Sequence, residues 1–119
     1  EPLHANLLGD VAANVSAFAE LMKAKSLWDN VTVMSYSEFG RRPFENNSSG
    51  TDHGTVAPHF LFGGKVKGGF YGEQSPLDDL DNQNLKYRVH FREIYASVAR
   101  EWWGLNAGFF KEKPLGLFS

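Results

Sequence analysis

The residues best suited to chemistry lie between positions 31 and 54, in Val-Thr-Val-Met-Ser-Tyr-Ser-Glu-Phe-Gly-Arg-Arg and, after a polar stretch, Gly-Thr-Asp-His-Gly. Glu38 comes shortly after the apolar, β-branched run Val31-Thr32-Val33, and Asp52 and His53 follow Glu45-Asn46-Asn47-Ser48-Ser49-Gly50. Such a run predicts a buried strand over 31–36, which leaves Glu38 just past its carboxyl end. In open α/β sheets ligands bind at that edge, where the loops splay apart into a crevice. Carboxylate oxygen and neutral imidazole are the usual ligands of hard and borderline divalent cations, so convergence of Glu38, Asp52 and His53 predicts a metal site. The same residues admit a plainer role, with Glu38 solvated, Asp52 hydrogen-bonded within its own loop and Gly54 supplying a positive φ. Arg41 and Arg42 offer planar guanidinium forks that suit a phosphate, sulfate or carboxylate, or a salt bridge fixing the Glu38 loop. Ser35, Ser37 and Thr51 are nucleophile candidates by their hydroxyl alone, with no partner base evident.

The elements that must position these residues begin with an amphipathic helix over 3–25. Leu3, Leu7, Leu8, Val11, Val15, Phe18 and Met22 recur at three- and four-residue steps and form one stripe. Lys23 and Lys25 suit its negative C-terminal end. His4 is expected at the surface. Ser26 to Asn30 makes a turn with Trp28 over the helix end, and the strand follows, which is an ordinary α/β connection. Residues 55–62 predict a second strand, with Pro58 at its start or on an edge because it has no N–H to donate. His59 is expected to be a satisfied strand residue. The glycine-dense Gly63–Gly69 segment predicts a hairpin-like turn, and the acidic stretch 73–86 a solvated loop. A second helix is predicted over 89–103, stopped by Gly104, with His90 at its entrance in reach of the sheet edge. The glycine-broken aromatic tail reads as irregular packed structure.

The 119 residues suffice for one core. Ten phenylalanines and three tryptophans fit a globular chain. A net charge of −2 without a basic, aromatic-interleaved stripe argues against a nucleic-acid partner, and no apolar run is long enough to span a membrane. With no cysteine there is neither a disulfide framework nor thiolate chemistry.

Taken in order, Ser37-Glu38-Phe39-Gly40-Arg41, Gly50-Thr51-Asp52-His53-Gly54 and Gly63-Gly64-Lys65-Val66-Lys67-Gly68-Gly69-Phe70-Tyr71-Gly72 resemble the bacterial domain of unknown function 1501, placed in the alkaline phosphatase and sulfatase superfamily. The similarity continues through His90-Phe91-Arg92 to Leu115-Gly116-Leu117-Phe118. The resemblance implies an α/β fold, in which residues 1–119 form the C-terminal part of an alkaline phosphatase-like three-layer sandwich with helices packed on a small mixed sheet. It implies an exported or periplasmic, metal-dependent hydrolase of phosphate or sulfate esters, the fragment being inactive alone. It also implies a divalent ion (zinc, manganese, magnesium or calcium) held by Glu38 and His53 with Asp52 as companion. His90 is an additional candidate at a position where the family commonly carries aspartate. Phe39 stands where the superfamily has a ligand histidine, which motivates the alternative of a non-catalytic binding or scaffold domain. The expected partner is a small ester or anion, and uncovered apolar faces predict self-association of the fragment.

Overall fold

The computed structural model describes residues 2–106 and 108–119. Helices and small antiparallel sheets make a mixed α/β chain. Helix α1 spans Pro2–Ala24, a 3-10 turn Trp28–Asn30, strands β1 Thr32–Met34, β2 Gly40–Glu45, β3 Thr51–Gly54, β4 Leu61–Gly63, β5 Leu80–Asp81 and β6 Asn84–Leu85, and helix α2 Phe91–Ser97. The sheets are three separate two-stranded antiparallel ribbons, β1–β4, β2–β3 and β5–β6. The expected small mixed sheet covered by helices is therefore replaced by ribbons. No parallel pair is present among the described residues.

Helix α1 ends where Ser26 takes a φ of 56°, with Leu27 N donating to Met22 O at 2.8 Å and Ser26 N to Lys23 O at 2.9 Å. These paired bonds close a Schellman cap, so the helix stops before Lys25. α1 packs chiefly against the 3-10 turn, and Leu3, Leu7, Leu8, Val11 and Phe18 of its apolar stripe stay exposed, as does Leu21. The radius of gyration is accordingly 16.7 Å, against about 13.5 Å expected for a compact chain of this length.

Burial is concentrated at the other end. Val98, Leu117 and Phe118 form the centre of the core, and Met34, Leu61, Val66, Ile94, Trp102 and Leu115 pack around it. Predicted as one helix over 89–103, the C-terminal segment is α-helical only to Ser97 and then passes into a single π-helical turn, Val98–Trp102, closed by Trp103 N donating to Val98 O at 3.1 Å. Gly104, at φ 64°, ends it as expected. The tail is irregular but anchored: Phe118 bridges Val66, Lys67 N donates to Leu117 O at 2.8 Å, and Ser119 N to Lys65 O at 2.9 Å.

Two stretches expected to be loops contain ribbons instead. Thr51-Asp52-His53-Gly54 is a strand paired with β2, which carries Pro43 at a register shift between Arg41 and Glu45. A proline is tolerated there because a bulge needs no ladder donor. The strand predicted over 55–62 is confined to Leu61–Gly63, and His59 before it places Nδ1 3.3 Å from the Ser35 carbonyl. Within 73–86, Asn82 and Gln83 both have positive φ, 48° and 65°, and turn β5 into β6. Both central residues of a type I′ turn need that conformation.

The motif ribbon as a candidate functional site

Glycine brings the first two motifs together. Gly40 of the Ser-Glu-Phe-Gly-Arg motif pairs with Gly54 of the Thr-Asp-His-Gly motif, which sets Arg41 opposite His53. A Cβ on Gly40 would overlap the Val56 carbonyl, and one on Gly54 would press on the Arg41 and Arg42 backbone. Only glycine permits so close an approach. The motif glycines are thus the joint between the strands.

Around that joint the polar side chains face solvent. Glu38, Arg41, Asp52 and His53 are exposed and Arg42 is half-buried. The His53 imidazole stacks on the Phe39 ring, with centroids 3.6 Å apart and planes 13° apart. This holds His53 beside the residue that follows Glu38. The Arg41 guanidinium lies 5.5 Å from the Phe39 ring centroid and donates to the Thr51 carbonyl at 2.6 Å. Arg42 donates to Gln83 Oε1 at 3.2 Å and so links the ribbon to the β5–β6 turn. The expected salt bridge to Glu38 is not formed. Among the described residues the ion pairs involve neither Arg41 nor Arg42.

Asp52 and His53 are successive residues of one strand, so their side chains leave opposite faces. Asp52 accepts a hydrogen bond from Asn46 Nδ2 at 3.0 Å, and Asn46 Oδ1 in turn accepts from Ser48 N and Gly50 N at 3.0 and 3.1 Å. Asp52 thereby braces the β2–β3 connection. Ser37 Oγ donates to Phe39 O at 2.6 Å and shapes the turn that carries Glu38. Ser35 Oγ accepts from Phe60 N at 2.8 Å. Among the described residues no three histidine, aspartate or glutamate side chains gather as a metal cluster.

His90 is used differently from the sheet-edge role expected of it. It caps α2: Nδ1 accepts from Arg92 N at 3.2 Å, while His90 N donates to Glu93 Oε2 at 2.8 Å. The reciprocal pair is a capping box. With Nδ1 accepting, the neutral ring carries its proton on Nε2. An aspartate at the same position, as the family resemblance implies, would satisfy the same donors. Glu93 three residues on was the sequence signal for this cap, obscured because histidine is an uncommon N-cap.

The family model described as "Protein of unknown function (DUF1501)" matches residues 1–106. The chain belongs to the DUF1501 family. Comparison with curated proteins and with solved structures found no match in either. For this DUF1501 protein the matched span takes in the whole motif ribbon and α2 and stops short of the tail that completes the core.

A second cleft was not foreseen from the sequence. It lies between the 3-10 turn and the π-helical turn and is lined by Asp29, Asn30, Lys65, Glu101, Trp102, Trp103 and Ser119. Its signal was present in Trp102-Trp103-Gly104, since adjacent residues lie about 100° apart around a helix and the two indoles must point in different directions.

Proposed function

We propose that the motif ribbon is one wall of a metal-dependent phosphate or sulfate ester hydrolase site in a longer exported parent with the alkaline phosphatase-like sandwich fold. The observation that carries this reading is the Gly40–Gly54 pairing, which puts the Glu38 turn and His53 side by side. Glu38 and His53 would hold the divalent ion, zinc, manganese, magnesium or calcium. Arg41, charged and exposed, is suited to orienting the ester's anionic oxygens. Asp52 serves as the brace of the loop, and further ligands come from outside the described residues. A bound ion would polarise the ester and activate the attacking oxygen. Elemental analysis of the parent tests this directly: stoichiometric metal is expected, lost in His53→Ala and Glu38→Ala. A metal-free parent, or variants that keep their metal, would overturn it.

A second reading, a binding or scaffold domain without turnover, is favoured by the stacked Phe39–His53 pair, in which an aromatic ring engages the face of the imidazole. Assaying the parent on aryl phosphates and sulfates with each divalent ion separates the two. Turnover abolished by Glu38→Ala excludes the scaffold. Bound metal with no turnover on any ester supports it.

A further inference from the structure

We infer that the cleft between the 3-10 turn and the π-helical turn binds a neutral saccharide, with its ring stacked on Trp103. The cleft has a volume of about 440 Å³ and opens to solvent, within the size range of small-molecule sites. Trp103 is 64% exposed, although an indole is the largest apolar surface the chain has to bury. Its neighbour Trp102 is fixed against Phe118, with ring centroids 5.5 Å apart.

The surrounding frame is hydrogen-bonded on both walls. Glu101 accepts from Gly116 N at 2.9 Å and from Phe118 N at 3.2 Å through its two carboxylate oxygens. The π-helical turn, a rare feature that recurs at functional sites, carries Glu101 with its bonds to the tail and ends beside the exposed Trp103. On the facing wall Gly64 N donates to Trp28 O at 3.2 Å, and the absence of a Cβ at Gly64 lets Asp29 fold over that backbone. Neither Asp29 nor Lys65 takes part in an ion pair among the described residues.

The polar groups decide the ligand class. The Asp29 side chain only accepts hydrogen bonds, that of Lys65 only donates them, and Asn30 and Ser119 do both. A sugar hydroxyl is donor and acceptor at once, and the C–H face of a pyranose matches an indole in shape and polarity. An organic cation would also favour the indole face, but it would have to sit beside the Lys65 ammonium. A simple anion would meet Asp29 and Glu101. The mixed set fits an uncharged polyol ring best.

The test is saturation-transfer NMR on the whole chain with glucose, galactose, N-acetylglucosamine and maltose, and with choline for comparison. Saturable transfer from at least one sugar is expected, with affinity falling about tenfold in Trp103→Ala, the scale of one lost aromatic contact. Trp103→Phe should retain most of the affinity and Asp29→Ala should weaken it, while Tyr36→Ala, an exposed ring outside the cleft, should change nothing. Trp103 is mostly exposed, so the variants should keep wild-type circular dichroism. No transfer from any sugar, transfer from choline alone, or undiminished binding in Trp103→Ala would overturn the assignment.

Discussion

Around Val98, Leu117 and Phe118 the chain is held by side chains that have left water, whereas around Gly40 and Gly54 it is held by backbone pairing, with the polar motif residues outside. In the first region identity is constrained by volume. In the second it is constrained at the glycines, and the residues between them are free to be chosen for chemistry. Helix α1 is a third case: its apolar stripe is complete in sequence and mostly uncovered in the structure.

The largest effect should come from the core. Phe118 is 7% exposed and packs on Trp102, and Phe118→Ala should cost about 3–5 kcal/mol. Denaturant unfolding would measure it. A cost below 1 kcal/mol would mean that the tail does not close the core, and would remove the contrast between the two regions.

Gly40→Ala should come next, at about 1–3 kcal/mol, because the new methyl group must displace the Val56 carbonyl. The informative comparison is with Glu38→Ala and His53→Ala on the same ribbon. Both residues are exposed, so each change should fall within about 0.5 kcal/mol. If His53→Ala proved as costly as Gly40→Ala, the Phe39–His53 stack would be structural and the ribbon would belong with the core.

His90 sharpens the comparison from the helical side. Removing the cap in His90→Ala should cost about 1 kcal/mol, with His90→Asp close to wild type. Thermal unfolding of the two variants checks this. Equal losses in both would mean that the ring's contacts with Tyr87 and Phe91, not its Nδ1, hold the helix start.

How far these regions were legible follows from the same difference. Helix α1 was readable because a 3.6-residue period is local, although nothing local says what covers its stripe. The second helix was readable in place but not in its π-helical turn, which depends on Glu101 reaching Gly116 and Phe118 far along the chain. β2 was hidden by Pro43, and β5–β6 by a turn built on Asn82-Gln83 instead of the usual Asn-Gly. Glu38, Asp52 and His53 were found by residue type. That Asp52 braces the loop through Asn46 while His53 lies on Phe39 required the strand pairing, which turns adjacent residues to opposite faces.

The smallest effects belong to surface charges, where neither region should differ from the other. Asp79 is tied to Lys86, whose hydrogen bond lowers its pKa, and Arg88 lies 3.8 Å away. The Glu112 carboxyl is likewise held below its ordinary value, first by a backbone hydrogen bond at Glu112 itself and then by Arg92, whose Nε lies 2.8 Å away. A lowered folded value means that the unfolded chain takes up the proton first as pH falls. The stabilisation is therefore complete above the ordinary glutamate value of about 4.3. It fades as pH drops through the lower folded value. Solvent screening keeps such pairs weak, so the sensitive readout is the Glu112 carboxyl resonance followed through an acid titration. In Arg92→Ala its midpoint should move up toward the ordinary value without reaching it, because the backbone hydrogen bond remains. An unmoved midpoint would assign the depression to the backbone hydrogen bond and the nearby His90, and Arg92 would then matter to the 109–112 segment through its hydrogen bond to the Phe109 carbonyl and its position over the Phe110 ring.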